Sequence, residues 1–257
     1  MLQGKKIAVT MPGYFAERTI ARTVGEIPRD IVDNIILSDD NSQDRTVEIA
    51  RELGIEVHVN EQNKNYGGNV KCCLQYGLDA GADIIILLHP DYQYTPKLIL
   101  PMAAMLVEGT YDICLGSRVS GKGALSGGMP FWRYISNVFI TNWMDFCFGR
   151  RHTEYHTGYR AYSRHALESV NFEMNSDAFI FDQEIVAQFI HSDMRLMDIP
   201  VPTRYFAEAS SISFWNSTKY GLSILWLLMR FQLHNAKIFS ERRLDSLSTR
   251  YAPASPE

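Results

Sequence analysis

The sequence predicts an α/β fold in which a mostly parallel central sheet is flanked by helices. Strand-like and helix-like stretches alternate through the first half of the chain, and crossovers of that length join parallel strands. The run Ile84-Ile85-Ile86-Leu87-Leu88 is apolar throughout rather than alternating, as in a strand buried on both faces. Polar clusters directly follow three of the predicted strands, at the sheet end where open α/β folds bind ligands.

Ile7 to Met11 reads as the first strand and Ala16 to Gly25 as the helix after it. Asn34 to Ser38 is the second strand, with a helix from about Gln43 to Leu53. Ile55 to Val59 is the third, followed by a helix over Gly68 to Ala80. Asp83 to Leu88 is the fourth, a helix starts near Pro96, and Asp112 to Gly116 is the fifth strand. The second half changes character. Pro130 to Phe148 reads as an aromatic-rich helix, with Pro130 suited to its first turn. A polar, His-rich stretch runs from Arg150 to Arg160. A helix over Asp182 to His191 precedes a short strand, Arg195 to Ile199, and an extended Pro200-Val201-Pro202. A last apolar helix spans about Asn216 to Lys237. No internal repeat or low-complexity linker divides the chain. Residues 1–215 therefore read as one domain, 216–241 as a C-terminal amphipathic helical extension, and 242–257 as a polar, disordered tail.

Composition narrows the function classes. With 257 residues, 46% of them hydrophobic, the chain can bury a substantial core, and disorder is confined to the ends. A net charge of -4 offers no basic excess to attract nucleic-acid phosphates. Cys72, Cys73, Cys114 and Cys147 form no CxxC pair, so neither a zinc site nor a redox motif is indicated. Free thiols in a reducing cytosol are expected. The N-terminus runs into a strand with no apolar signal region, so no cleaved signal peptide is expected.

The segment after the fourth strand carries the most chemistry. His89, Asp91 and Gln93 stand at alternate positions at a strand tip. A carboxylate there can hold a divalent cation, and the cation a diphosphate. The bland alternative is a solvated loop whose turns are set by Pro90 and Pro96. After the first strand come Pro12, Gly13, Tyr14 and Glu17. Here a ring can contact a base and a carboxylate can accept from it, or Glu17 simply favours a helix N-terminus. After the second come Asp39 and Asp40, then Ser42, Asp44 and Thr46. Helix capping accounts for Ser42 or Asp44, but not for the adjacent carboxylates together.

In this order and at these intervals, the three clusters resemble family-two glycosyltransferases of GT-A fold, near the dolichol-phosphate mannose and glucose synthases. The matching segments are Pro12 to Glu17, Asp39 to Thr46 and His89 to Gln93. Similarity continues through Gly116-Ser117-Arg118, Trp132-Arg133, Thr157 to Tyr162 and Phe181 to Glu184, covering most of residues 5–215. The resemblance implies that Pro12, Tyr14, Glu17 and Asp39, with Asp40, line a base and ribose pocket. It implies that Asp91 and Gln93 bind Mg2+ or Mn2+, and that Arg118 lies near the donor phosphates. Arg133, and with it Arg160 and Arg204, would serve acceptor or donor phosphate groups, which a guanidinium binds bidentately. A surface ion pair is the alternative for each arginine. One departure stands out: His89 occupies the place of the family's first metal-site aspartate. It either ligates the metal, touches phosphate, or leaves coordination to Asp91, Gln93 and the diphosphate; imidazole suits Mn2+ better than Mg2+.

The expected activity is an inverting hexosyl transfer from a UDP- or GDP-sugar to a polyprenyl or dolichyl phosphate. Transfer to a saccharide or glycolipid hydroxyl, and a non-catalytic nucleotide-sugar-binding relative, are the alternatives. A lipid phosphate is already ionised, whereas a hydroxyl needs a general base. The candidates are Asp182 and Glu184, two apart and so pointing apart on a helix. The last helix is too interrupted, by Arg230, Gln232 and His234, to span a bilayer. It suits a membrane surface or a homo-oligomer contact. The expected location is peripheral, on the cytoplasmic membrane face.

Overall fold

The computed structural model describes residues 1–120, 123–203 and 214–245. Its strands are β1 (Ile7–Gly13), β2 (Asn34–Asp39), β3 (Glu56–Val59), β4 (Ile84–Leu87), β5 (Ile113–Ser117), β6 (Arg160–Ser163) and β7 (Leu196–Pro200). The helices are α1 (Ile20–Gly25), α2 (Thr46–Glu52), α3 (Asn65–Asp79), α4 (Ile99–Val107), α5 (Gly123–Ser126), α6 (Phe131–Phe148), α7 (Arg164–Glu168), α8 (Phe181–His191) and α9 (Phe214–Asn235). The strands form one sheet in the order β3-β2-β1-β4-β6-β5-β7. β6 alone runs antiparallel to its neighbours, so the expected mostly parallel sheet is present.

The two-residue period of the strands divides the core into two layers. Ala8, Ile85 and Leu87 face Val70 and Leu74 of α3 and Phe181, Ile185 and Phe189 of α8. Ile7, Val9, Ile84 and Ile86 face Ile20 and Val24 of α1 and Ile99 and Met102 of α4. β4 is buried along its whole length, which is why its sequence does not alternate.

Four expectations change. α1 starts at Ile20, not Ala16. The backbone N–H groups of Phe15, Ala16 and Glu17 are taken by Ser42, Thr46 and Asp44 side chains, so the segment is a tethered loop. β6 and α7, neither of them expected, follow the stretch read as polar and His-rich, β6 starting at its last residue, Arg160. Arg-Ala-Tyr-Ser is too short to carry a period, and its pairing is entirely tertiary. The last helix is not a separate extension, because Ile224, Leu227, Leu228 and Phe231 of α9 belong to the main core. The start of the predicted tail is ordered: Leu244 is buried and Arg243 pairs with Glu184. The rest of that tail lies outside the described residues.

Candidate functional site

Loops at the carboxyl ends of β1, β2 and β4, with the N-terminal turn of α3 and the 176–179 segment, enclose a cleft of about 950 Å³. Of the predicted residues, Pro12, Tyr14, Glu17, Asp40, His89 and Asp91 line it. The loop after β1 enters with Phe15 at φ 52°, leaving Tyr14 and Phe15 exposed with rings 4.4 Å apart. Arg45 N–H in turn donates to Glu17 Oε2 at 3.1 Å, so the loops after β1 and β2 clasp each other.

The paired aspartates have separate tasks. Asp39 is fully buried and does not line the cleft; it accepts from the Ser42 N–H at 2.8 Å and hydroxyl at 2.6 Å. Burial raises its carboxyl above the ordinary value despite those bonds. Asp40 faces the cleft, with Oδ1 accepting from Asn60 Nδ2 at 3.0 Å and Lys64 N–H at 2.8 Å. Asp39 therefore shapes the loop, and the pocket carboxylate is Asp40.

Beyond β4 the strand alternation stops at Leu87. Tyr92 takes φ 56° and its hydroxyl bonds Glu26, while Arg22 lies 3.9 Å over its ring. This turn carries Gln93 away: it is buried and does not line the cleft. What Gln93 gives Asp91 is its backbone N–H, 3.0 Å from Oδ1. Among the described residues no three His, Cys, Asp or Glu side chains converge to hold a metal alone. One carboxylate in a cleft suits a cation whose other ligands come from a diphosphate and water, and Asp91 fits that case.

His89 is wedged between aromatic rings and a glycine. It stacks on Tyr66 at 5.7 Å, and Tyr66 in turn on Phe179 at 4.8 Å. A Cβ at Gly158 would sit 2.4 Å from His89 Nε2, so only glycine leaves room for the imidazole. Burial lowers the His89 pKa, against the pull of Asp91 and Asp182, and the ring is neutral.

The predicted arginines lie elsewhere. Arg118 is buried, with Nε 2.8 Å from Glu154 Oε1 and Nη2 2.7 Å from the His156 carbonyl. Arg160 is fully buried, and donates to the carbonyls of Thr157, Asp182 and Tyr155. Both therefore brace the 154–160 segment, and neither lines this cleft. Arg133, in the first turn of α6 and 5.4 Å from the Trp132 ring, is outside it too. Arg204 lies outside the described residues. Asp182 sits behind Tyr66, whose hydroxyl donates to Oδ2 at 2.8 Å. Its Oδ1 is buried without a hydrogen-bond partner, 3.6 Å from Arg160 Nη2. Glu184 turns the other way, accepting from Ser176 N–H and pairing with Arg243.

Sequence reasoning missed Tyr66, Asn69, Glu154 and the 176–179 wall. The available signal was Gly67-Gly68. A Cβ at Gly67 would meet the Ser176 carbonyl at 2.4 Å, and Gly67 N–H donates to the Asp177 carbonyl at 2.7 Å. The glycines exist so that the wall can press against α3.

Residues 8–170 match the family model described as Glycosyl transferase family 2. The chain belongs to this family. Among its relatives is an uncharacterized protein of Methanocaldococcus jannaschii, 28% identical over 87% of this chain and 91% of the relative. A UDP-N-acetylglucosamine–dolichyl-phosphate N-acetylglucosaminyltransferase of Methanococcus voltae is 24% identical, over 89% of this chain and 97% of the relative. A dolichyl-phosphate hexose transferase of Haloferax volcanii is 26% identical, over 88% and 96%. A solved structure with a similar fold is glucosyl-3-phosphoglycerate synthase from Mycobacterium tuberculosis, in complex with Mn2+, UDP-glucose and phosphoglyceric acid. Its TM-score is 0.67 at 16% identity, covering 93% of this chain and 82% of that one. The family-two chain thus has the expected GT-A fold.

Proposed function

We propose that the protein is an inverting glycosyltransferase that moves a hexose from a UDP- or GDP-sugar to a polyprenyl or dolichyl phosphate. The observation that carries the acceptor is the state of the two acidic candidates for a general base. Glu184 is committed to Arg243 and Ser176, and Asp182 receives the Tyr66 hydroxyl beside buried Arg160. A phosphate acceptor needs neither. The two transferases named for dolichyl phosphate match over nearly their full lengths, which supports the same reading.

In this reading Tyr14 and Asp40 hold the nucleoside and Asp91 faces the diphosphate. A divalent cation, Mg2+ or Mn2+, held by Asp91 would offset charge developing on the departing diphosphate. His89 and Tyr66 close the cleft wall and keep water from the anomeric carbon. We place the work at the cytoplasmic membrane face, with peripheral contact. Among the described residues no helix is long and apolar enough to cross a membrane.

One observation favours the second reading, transfer to a saccharide or glycolipid hydroxyl. Asp182 Oδ1 lacks a hydrogen-bond partner, and a hydroxyl would supply one. A nucleotide-release screen of UDP- and GDP-sugars in Mg2+ and Mn2+ decides between the two. Release on adding polyprenyl phosphate is expected. Release only with a saccharide overturns the acceptor, and unchanged transfer and metal dependence in Asp91→Ala overturns the site.

A further inference from the structure

The transfer chemistry leaves one large surface unused. α6 exposes Trp132, Ile135, Phe139 (67%), Trp143 and Phe146 (79%). Steps of three and four residues put them on one helical stripe. α9 exposes Leu222 (63%), Leu225, Trp226 (59%) and Met229, again one stripe. Single exposed apolar residues need no explanation, but a contiguous group of this size does.

The stripes form one face. Ile140 of α6 lies against Gly221 of α9. Further along, Phe148 meets Phe231 edge-on at 4.9 Å, and Gln232 Nε2 donates to the Cys147 carbonyl. Contacts that advance together along both chains make the helices parallel. Counted at 3.6 residues per turn from the contact residues, the stripes are rotated in opposite senses. In parallel neighbours, opposite rotations bring both stripes to the same side of the pair.

Charge identifies the occupant. The chain holds 29 acidic and 25 basic residues, yet α6 and α9 together hold a single acidic residue, Asp145. Asp145 is turned inward, accepting from the His152 N–H at 3.0 Å and the Tyr155 hydroxyl at 2.9 Å. Arg133 and Lys219 lie on these helices, and Arg151 and Lys237 are exposed just beyond their ends, whereas Arg230 of α9 is paired with Glu241. An apolar face with tryptophans and a cationic border suits anionic headgroups over acyl chains. A second copy would set these cations against each other.

We propose that the α6–α9 face docks on an anionic lipid bilayer. This deepens the reading of a lipid-borne acceptor and rests on it. The test floats the full chain with vesicles of phosphatidylcholine alone and of phosphatidylcholine mixed with phosphatidylglycerol. The wild type is expected to float with the mixed vesicles, less so at high salt. The double variant Phe139→Ser, Phe146→Ser should lose binding roughly tenfold or more. Leu100→Ser, an exposed apolar residue on α4, should bind as the wild type does. Wild type that stays with neither vesicle, or a double variant that floats normally, overturns the proposal. So does a wild-type dimer that the double variant renders monomeric. Transfer to a short-chain, water-soluble prenyl phosphate is measured on the same proteins and should be unchanged. Its absence from all of them counts against the acceptor alone, and flotation still decides the face.

Discussion

The Tyr66 hydroxyl donates to Asp182 Oδ2 across 2.8 Å, and this bond ties the first turn of α3 to the first turn of α8. His89 Nε2 lies 3.5 Å from the same hydroxyl, which brings in the tip of β4. Arg160, from the antiparallel β6, donates to the Asp182 carbonyl at 2.8 Å. Four elements distant in sequence thus meet around one phenol, at the inner wall of the cleft. Tyr66 is the hinge pin of the site, although it touches neither aspartate cluster that the sequence makes conspicuous.

Tyr66→Phe keeps the ring stack and removes the donor to a buried carboxylate. The expected loss of stability is about 1–2 kcal/mol. The expected kinetic signature is a lower kcat with the KM for the nucleotide-sugar nearly unchanged, because the ring still walls the cleft. Urea unfolding and steady-state kinetics check both; a raised KM with unchanged kcat would assign Tyr66 to ground-state binding instead.

Glu154→Gln tests the brace behind the site. Glu154 is fully buried and accepts from Arg118 Nε at 2.8 Å, Arg118 N–H at 2.6 Å and Val119 N–H at 3.3 Å. The amide fills the same space but leaves the Arg118 charge uncompensated in the interior. A loss of about 3 kcal/mol is expected, read as a lower urea midpoint at constant slope. A midpoint within experimental error of the wild type would show that Arg118 finds another counter-charge.

How far the sequence could be read follows from where each residue's constraint comes from. β1, β2 and β4 were legible because burial on both faces writes an apolar run, and the acidic clusters were legible because they break it. Asp39 and Asp40 are alike in sequence, yet one is spent on Ser42 and the other faces the cleft. The turn at Asn41, φ 64°, brings Ser42 back onto Asp39, which residue type alone does not show. Gln93 reads as a ligand by alternation, and Tyr92 at φ 56° breaks the alternation. Arg118 and Arg160 read as phosphate ligands by type. Their partners, Glu154 and the carbonyls of residues 155, 157 and 182, are set by tertiary packing. β6 is invisible for the same reason: four residues take their conformation from β4 and β5 on either side.

Gly67→Ala should damage the cleft without removing any polar group. Its new Cβ would meet the carbonyl oxygens of Ser176 at 2.4 Å and Ala178 at 2.8 Å, and backbone cannot step aside as a side-chain tip can. The 176–179 wall must shift, at an expected cost of about 1–3 kcal/mol and with weaker nucleotide-sugar binding. Gly25→Ala, whose Cβ meets nothing within 4 Å, is the matched control and should bind normally by calorimetry. Equal affinities for the two variants would mean that the wall does not shape the donor pocket.

Acid should loosen the protein through its buried imidazoles. His156 receives Gln183 Nε2 at Nδ1 across 3.3 Å, and its Nε2 is buried without a partner. Burial, and then Arg118 and Arg160, push its pKa down to about 3. In the unfolded chain a histidine titrates near about 6.5. Between those values the unfolded state binds a proton that the native state refuses, so stability rises with pH across the window. The contribution is complete above about pH 6.5 and shrinks as pH falls towards about 3. Going from pH 7 to pH 5, one such histidine costs about 2 kcal/mol. His89, whose pKa burial also lowers, adds a loss of the same sign. His156→Gln removes one of these contributions and keeps a polar group at the site. Its urea midpoint should therefore fall less between pH 7 and pH 5 than that of the wild type. Parallel falls in the two proteins would mean that His156 takes up its proton in the folded state, with Arg118 and Arg160 too well neutralised by Glu154 and Asp182 to prevent it.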